Sequence, residues 1–348
     1  MKEKITLQKI AEKTGFSVNT VSHALNDKPD ISEKTKEIIK ETANSLGYIG
    51  NASACYLRSG KSKSIAIILG DITNPHFSIM VREIETCIRE FGYTVFILNS
   101  EENEKNEHNA ILSSIRKNVD GIIICPVQKT NKNIKLLEQT GVPFVLIGRH
   151  FDDMDTDYIV CDDINGGYIA TKHLLNLGHK NILFLNGREY ISSSKERFCG
   201  FKKAYKEFGI KFDKSLIHNG SARAGDCTSY INDIFSKRKD ITAILAFSDL
   251  LAWEAVHTLN KIGLSVPHDI SVVGFDNIGS KFLFPIELTS ISSSKVTMAK
   301  TASEVLLKKI NHDTEHKEQI VIDTKIIVRD TTIMNGGQYH RQSCKKTT

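Results

Sequence analysis

The sequence predicts a small all-α head followed by an α/β core with parallel sheets. Two observations lead to this fold class. The first 50 residues contain three short stretches in which apolar residues recur at helical spacing after a capping residue. From residue 64 onward, continuous apolar runs alternate with amphipathic segments, which is typical of buried parallel strands joined by helices. At 348 residues, the chain is long enough for two or three domains that each bury a core.

The head is predicted to form three helices. Thr6 can cap the first helix, and Gly15 ends it, because a tight turn there needs a residue without Cβ. Ser17 can cap the second helix in the same way. Ser32 can cap the third, and Gly47 ends it. We expect the buried face of the third helix to be formed by Thr35, Ile38, Ile39, Thr42, Ala43 and Leu46.

The core is predicted to repeat a strand and a helix along the chain. Apolar runs predict strands at residues 65–69, 94–98, 121–125, 144–147, 158–161, 182–185, 243–247 and 271–275. Helical spacing between them predicts helices at residues 77–91, 164–177, 196–208, 249–262 and 297–310. Ligands of parallel sheets bind beyond the carboxyl ends of the strands, so the polar residues that follow these runs are candidates for a site.

Composition excludes several classes of protein. The chain is 25% charged and 40% hydrophobic, as in ordinary folded proteins. No window approaches the roughly 18 consecutive apolar residues that span a membrane, and the N-terminus lacks the apolar stretch of a secretory signal. We therefore expect a cytoplasmic protein without a membrane partner. The seven cysteines form no C-x-x-C pair and the twelve histidines have no zinc-ligand spacing, so we expect no metal and no cofactor.

Charge is distributed unevenly along the chain. Residues 1–63 contain eleven Lys and Arg against seven Asp and Glu, whereas residues 64–334 have a net charge of −2 and residues 335–348 a net charge of +3. A basic head on a nearly neutral body indicates a polyanionic partner for the head. On charge alone, a solvated basic surface is an equal alternative.

The first two predicted helices have the arrangement of a helix-turn-helix, because a glycine turn joins them. The second helix of this motif enters the DNA major groove, where its first residues meet base edges. Asn can pair with adenine, Ser and Thr can reach bases or phosphates, and Val can touch a thymine methyl. We expect DNA contacts from Thr6, Ser17, Val18, Asn19, Thr20, Ser22, His23 and Asn26. A small helical domain with a polar face is the alternative.

The amino-acid sequence of the head is more specific evidence of its function than its helical periodicity is. The runs TLQKIAEKTGFSVNTVSHALN and ISEKTKEIIKETANSLGYIGNASACYLRSGKS resemble the DNA-binding head and hinge of the lactose-repressor/galactose-repressor (LacI/GalR) family. The resemblance implies a head at residues 1–50 and a hinge helix with its linker at 51–63. It implies that the paired hinges of a dimer enter the minor groove, with contacts from Asn51 and Ala54 and a wedge at Leu57 that bends the duplex.

The remaining chain resembles the effector-binding core of the same family, which is similar to periplasmic sugar-binding proteins. Sequence motifs that match the family occur in order from about residue 5 to residue 332, and they include DITNPHF, VDGIIICP, GVPFVLIGR, ERFCGF, AFSDLLAWEAV and GLSVPHDISVVGFDN. The resemblance implies a two-lobed, periplasmic-binding-protein-like core at 64–332. The expected boundaries are lobe one at 64–161 and 291–318, lobe two at 162–290 and 319–332, and a polar tail at 333–348.

The resemblance also nominates an effector site in the cleft between the lobes. It implies effector contacts from Asn74, Phe77, Arg149, Cys161, Arg197, Asp249 and Asp276, with Phe77 stacking on a ring. Ala222 departs from the family pattern, because many members place an aromatic residue there. Carboxylates, amides and arginines suit a small polyhydroxylated or heteroaromatic ligand, and Arg149 beside acidic residues favours a sugar.

Together, these expectations describe a sequence-specific DNA-binding transcriptional regulator. We expect a repressor that binds a pseudo-palindromic double-stranded operator as a homodimer, under allosteric control by a small-molecule effector, a sugar or sugar derivative. The tail has no heptad pattern, which favours a dimer over a tetramer. No nucleophile-elbow, P-loop or dinucleotide motif is present, so we expect no enzymatic activity. The alternative is a cytoplasmic small-molecule binding module with a non-functional head; a sugar-processing enzyme is a third reading, for which we find no motif.

Overall fold

The computed structural model describes residues 5–49, 60–221, 223, 225–279, 286–313 and 316–336. These residues belong to two compact units, a head within residues 1–62 and a core within residues 63–348. The expected hinge contacts Asn51, Ala54 and Leu57 lie outside the described residues, and so does Ala222. Across the described part of the chain, no helix is both long and apolar enough to cross a membrane.

The head consists of three helices, as the sequence predicts. They are α1 (Leu7–Thr14), α2 (Val18–Leu25) and α3 (Glu33–Leu46). One fully buried side chain from each helix, Ile10, Val21 and Ile39, meets the others in a small core. Three short helices are therefore held together by few apolar side chains, and their polar faces remain outside.

The caps of the head helices are confirmed. The hydroxyls of Thr6, Ser17 and Ser32 each accept a hydrogen bond from the backbone N–H three residues later, at 3.4, 3.1 and 3.3 Å. Gly15 and Gly47 end α1 and α3 with φ of 76° and 69°, a conformation that a Cβ would strain.

One expectation for α3 is wrong. Ile38 is 42% exposed, whereas its neighbour Ile39 is fully buried. Consecutive residues of a helix point about 100° apart, so a narrow core contact cannot bury both isoleucines. Lys36 is buried instead, with its ammonium 2.7 Å from Glu33.

The core alternates strands with helices. The strands are β1 (Ser64–Leu69), β2 (Thr94–Asn99), β3 (Gly121–Ile124), β4 (Phe144–Ile147), β5 (Tyr158–Cys161), β6 (Ile182–Asn186), β7 (Ile217–Asn219), β8 (Ala243–Ala246), β9 (Ser271–Asp276), β10 (Thr289–Ser292), β11 (Gln319–Ile322) and β12 (Lys325–Ile327). The helices are α4 (Pro75–Arg89), α5 (Glu104–Arg116), α6 (Lys132–Thr140), α7 (Asp163–Asn176), α8 (Ser192–Glu207), α9 (Thr228–Lys237), α10 (Asp249–Lys261) and α11 (Lys295–Ile310), and a short 3₁₀ turn spans Lys214–Leu216.

These strands form two six-stranded sheets, one in each lobe. The first sheet has the order β11-β5-β4-β3-β1-β2, and the second has the order β12-β10-β9-β8-β6-β7. All neighbouring strands run parallel except β10 and β12, which are antiparallel. The fold class predicted from the sequence, a helical head with a two-lobed parallel α/β core, is confirmed.

The chain crosses between the lobes after β5, after β10 and after β11. The boundary expected for the last crossing is displaced, because Gln319–Ile322 pairs with Tyr158–Cys161 in the first sheet rather than joining the second lobe. Only β12 returns to the second sheet. Strand β11 is a short edge strand with no fully buried residue, so it lacks the continuous apolar run by which the central strands were predicted.

Helices α7 and α8 pack with their backbones in close contact. A Cβ on Gly200 would lie 2.0 Å from the carbonyl oxygen of Ile164, and a Cβ on Gly167 would lie 2.2 Å from that of Arg197. Only glycine allows this approach at both positions. The close contact fixes α8, and with it the side chains that α8 directs toward the cleft.

Candidate functional site

The first candidate site is the N-terminal half of α2 in the head. Ser17, Val18 and Asn19 are exposed there, and Thr20 and Ser22 are half-buried. The Ser17 hydroxyl is 2.8 Å from that of Thr20, in addition to capping the helix. An exposed helix end of this kind can offer an amide, a hydroxyl and a methyl-bearing side chain to a partner surface.

The C-terminal half of α2 is held by polar contacts. The Nδ1 atom of His23 is 2.6 Å from a carboxylate oxygen of Asp30, and this hydrogen bond lowers the pKa of Asp30. The Asn26 amide donates to the carbonyl oxygen of Ser22 at 2.5 Å. Thr6, which the sequence also nominates for DNA contact, is exposed at the start of α1, where its hydroxyl serves as the helix cap.

The second candidate site is a cleft between the two lobes of the core. Its space, counted together with the part open to solvent, is about 650 Å³. Its walls are formed by residues that lie at or follow the carboxyl ends of strands in both sheets and by residues in the first two turns of the helices after them, as expected for parallel α/β folds. They are Asp71, Asn74, His76, Phe77, Glu102, Cys125, Gly148, Arg149, Ser193, Arg197, Ser221, Arg223, Phe247, Ser248 and Asp276.

Five of the seven predicted effector residues line this cleft, and two do not. Asp249 is 2% exposed, and its carboxylate accepts hydrogen bonds from the Ser290 hydroxyl at 2.5 Å and the Ile278 backbone N–H at 2.7 Å. Cys161 is buried in the core behind the wall. The structure thus gives Asp249 a role in holding neighbouring backbone and gives Cys161 a packing role.

The N-terminus of α4 brings an amide and two rings to the lobe-one wall. The side chain of Asn74 caps α4 by accepting a hydrogen bond from the His76 backbone N–H at 3.0 Å. The rings of His76 and Phe77 meet edge to face, with centroids 5.3 Å apart. Phe77 is largely buried in the core of this lobe and reaches the cleft at its surface.

Arg149 forms a bidentate ion pair with Glu102 in the lobe-one wall. Its Nη1 and Nη2 atoms each donate to a different oxygen of Glu102 at 2.9 Å, and Nη1 also donates to the carbonyl oxygen of Pro126 at 2.8 Å. Burial lowers the pKa of Arg149, but the surrounding charges and hydrogen bonds, those of Glu102 foremost, leave the pKa raised. The guanidinium of Arg149 is therefore charged in the cleft wall.

Arg197 is held in the lobe-two wall by a second buried carboxylate. Its Nε atom donates to Asp163 at 2.6 Å, and its Nη1 atom donates to the carbonyl oxygen of Phe247. The guanidinium carbon is 3.5 Å from the centroid of the Phe275 ring and 4.3 Å from that of Phe247. Burial raises the pKa of Asp163, and the charge of Arg197 opposes that rise.

His76 and Asp276 face each other from opposite lobes. Their nearest atoms are 3.3 Å apart, yet the geometry leaves Nδ1 of His76 without a hydrogen-bond partner. Burial raises the pKa of Asp276 to about 7, against the opposing charges of Arg197 and Lys295. Burial, with the charges of Lys295 and Arg197, lowers the pKa of His76 to about 3, so its imidazole is neutral. The pair can exchange hydrogen bonds with a polar ligand that reaches both lobes.

Several lining residues were not among the predicted effector contacts. Asp71 and Ser248 lie just after β1 and β8, where the strand-end rule applies. Glu102 follows the end of β2 by three residues, and the same rule applied to that strand would have found it. Ser193 lies in the first turn of α8, and its approach to the cleft depends on tertiary packing. No group of three or more His, Cys, Asp or Glu side chains that could hold a metal ion occurs within the described ranges.

Comparison with protein families places both parts of the chain. Residues 6–51 match the family described as bacterial regulatory proteins, lacI family. Residues 62–330 match the periplasmic binding proteins and sugar binding domain of the LacI family. These two matches account for most of the chain.

Individual relatives agree with this placement. The chain is 32% identical to the HTH-type transcriptional repressor PurR of Glaesserella parasuis, over 90% of this chain and 92% of the relative. It is 30% identical to the repressor PurR of Pasteurella multocida, over 93% and 97%.

Solved structures share the fold. A LacI family transcriptional regulator from Enterococcus faecium with bound ribose is 25% identical, with a TM-score of 0.70 over 78% of this chain and 99% of that one. The lac repressor dimer bound to operator and the anti-inducer ONPF has a TM-score of 0.82 over 95% and 100% of the chains. At 24% identity, the second likeness concerns the fold alone.

Proposed function

We propose that this chain, which belongs to the LacI family of bacterial regulatory proteins and is a DNA-binding transcriptional regulator rather than an enzyme, represses transcription from a pseudo-palindromic operator. It binds the operator as a dimer, and a small polar effector sets its affinity for DNA. The effector class we propose is a sugar or sugar derivative. Because such a protein acts where the bacterial chromosome is, we place it in the cytoplasm.

The observation that carries the proposal is that the cleft draws its polar walls from both lobes. Arg149 and His76 come from lobe one, and Arg197 and Asp276 come from lobe two. A ligand that contacts both walls binds one arrangement of the lobes more tightly than another. That difference in affinity is what shifts a conformational equilibrium, and allosteric coupling is typically about 1–3 kcal/mol.

For the head, we propose that α2 lies in the major groove. Asn19 and Val18, both exposed at the start of α2, would contact base edges, with Ser17, Thr20, Ser22, His23 and Asn26 along the same helix and its end contributing base or phosphate contacts. Thr6 at the start of α1 would meet the DNA backbone. Asn51, Ala54 and Leu57 in the hinge would enter the minor groove and bend the duplex.

In the cleft, we propose that Asn74, Phe77, Arg149, Arg197 and Asp276 contact the effector. The carboxylates and amide can accept and donate hydrogen bonds to hydroxyls, and the ring of Phe77 offers a flat apolar surface. Cys161 and Asp249 would act from behind the wall, by supporting side chains and backbone that line it.

The test is selection of bound sequences from a random double-stranded DNA library, with and without a pool of sugars and nucleobases. We expect enrichment of a palindrome, and a change in that enrichment when the pool is added. Asn19→Ala should weaken binding to the selected sequence by about 1–3 kcal/mol, because it removes a base contact.

Asn44→Ala is the matched control, since Asn44 is an exposed amide on α3. It should bind the selected sequence as the unaltered protein does. Absence of any enriched sequence would leave a small-molecule binding module with a non-functional head. Equal losses in the two variants would remove Asn19 from base recognition.

A further inference from the structure

The Glu102–Arg149 pair in the cleft wall has a consequence for ligand selection. Both side chains line the cleft, and they remain only 12% and 9% exposed. Two parallel N–H···O bonds of 2.9 Å join them. This is the geometry in which arginine recognises carboxylates and phosphates, so the recognition surface of Arg149 is already used by a group of the protein itself.

The residues around Glu102 accommodate its side chain in this place. A Cβ on Gly70 would lie 2.0 Å from one carboxylate oxygen of Glu102, so a larger residue at position 70 would displace that oxygen. The backbone of Glu102 has a φ of 52°, and its N–H donates to the carbonyl oxygen of Gly70 at 3.1 Å. On the other side, the carbonyl of Pro126 fixes the guanidinium of Arg149.

We propose that Glu102 is a specificity-determining residue that makes the cleft select uncharged ligands by occupying the anion-binding face of Arg149. The inference rests on the proposed effector-binding function of the cleft. A free anion would have to displace a carboxylate that is already in position, and the anion alone would lose translational freedom on binding. The carboxylate of Glu102 keeps lone pairs beyond the two that Arg149 uses, and these accept hydrogen bonds from ligand hydroxyls.

In the opposite wall, an arginine is likewise paired with a carboxylate of the protein itself. Arg197 is neutralised by Asp163, whose oxygen lies 2.6 Å from Nε. Among the described residues of the lining, Arg223 is the remaining cation. If the cleft were built for an anion, Arg223 would have to hold it while the carboxylates of Asp71 and Glu102 opposed it. The lining therefore favours a neutral polyhydroxylated ligand over its phosphorylated or acidic counterpart.

The experiment measures binding of inorganic phosphate to the full chain. The proteins compared are the unaltered chain, Glu102→Ala, Glu102→Gln, Arg149→Ala, and the double variants Glu102→Ala/Arg149→Ala and Glu102→Ala/Arg223→Ala. Calorimetric titration gives the affinity, and the rise of the thermal midpoint with phosphate gives an independent readout. Phosphate bound by the basic head contributes equally to all six proteins and is thereby subtracted.

We expect Glu102→Ala to bind phosphate at least about tenfold more tightly than the unaltered chain, with Glu102→Gln showing a smaller gain. The double variant Glu102→Ala/Arg149→Ala should lose the gain, because the freed guanidinium is then absent. If Glu102→Ala does not fold, Glu102→Gln keeps the shape of the side chain and carries the same test.

Three results would overturn the proposal. One is unchanged phosphate affinity in both folded single variants. Another is a gain that survives in Glu102→Ala/Arg149→Ala but disappears in Glu102→Ala/Arg223→Ala, which would assign the anion site to Arg223. The third is phosphate binding by the unaltered chain that Arg149→Ala removes. Failure of the proposed function would be seen separately, as the absence of an enriched DNA sequence while the phosphate results stand.

Discussion

Replacing Arg197 with alanine should destabilise the core, in addition to removing a side chain from the surface of the cleft. From the sequence, Arg197 is a polar residue of the cleft that contacts the effector. In the structure, its guanidinium is 8% exposed and is the partner of Asp163, which is 2% exposed. Removing it leaves the Asp163 carboxylate buried without the guanidinium that pairs with it.

The magnitude follows from that burial. Removing one partner of a buried ion pair costs about 3–5 kcal/mol, because the other charge remains desolvated. Removing both should cost less than the sum of the single losses, by a coupling of about 0.5–3 kcal/mol. We therefore expect Asp163→Ala to recover part of the stability that Arg197→Ala loses.

The pH dependence of the loss has a definite sign. Burial raises the pKa of Asp163 even in the presence of Arg197. Without Arg197 the rise is larger, so the variant binds a proton that the unfolded chain does not. The free energy of unfolding of the variant should then fall, relative to the unaltered chain, as pH rises through the folded pKa. The loss should be smaller at pH 5 than at pH 8.

Urea unfolding followed by fluorescence is the assay. The chain has one tryptophan, Trp253 on α10, which lies in the same lobe as Arg197. Measurements at pH 5 and pH 8 on both single variants and the double variant complete the cycle. If Arg197→Ala were within about 1 kcal/mol of the unaltered chain at pH 8, the burial argument would be refuted.

Two further predictions concern packing and protonation. Gly200→Ala should destabilise the core by about 1–3 kcal/mol in urea unfolding, because its Cβ would lie 2.5 Å from the Tyr168 nitrogen. Cys199→Ala, at the exposed neighbouring residue, should change the free energy of unfolding by less than about 0.5 kcal/mol. Equal effects of the two substitutions would contradict the close helix contact. Asp276 has a folded pKa of about 7 against an ordinary 3.8, so the native state binds more protons and the free energy of unfolding should fall from pH 4 to pH 7. Asp276→Asn should flatten that fall, and an unchanged slope would assign the proton to another group.

Local chemistry made the head predictable. Thr6, Ser17 and Ser32 cap the three helices because a hydroxyl followed by an apolar helical pattern satisfies an orphan amide within its own segment. The prediction for Ile38 was wrong because helical periodicity allows both Ile38 and Ile39 to be buried, whereas the small core of the head has room for Ile39 alone. Most central strands were predicted for a similar reason, since burial on both faces leaves a continuous apolar run. The central strand β10 was not predicted, because its sequence, TSIS, has no such run.

Three of the four edge strands escaped prediction because they carry no such run, whereas the edge strand β2 does carry one and was predicted. Strands β7 and β12 have three residues each, and β11 alternates exposed and half-buried positions. Their place in the sheets is decided by backbone pairing with a neighbour, which a single sequence does not display. The lobe boundary near residue 319 was displaced for this reason.

The sequence by itself determined which residue types lie at the cleft, through the position of polar residues after strands and through the motifs shared with the family. Five of the residues predicted in this way line the cleft: Asn74, Phe77, Arg149, Arg197 and Asp276. Only the tertiary structure decided how those groups are paired. Glu102 neutralises Arg149 across 47 positions of the chain, and Asp163 neutralises Arg197 across 34. An arginine's charge is local to its residue, but the surface it offers to a ligand depends on which carboxylate the fold places beside it.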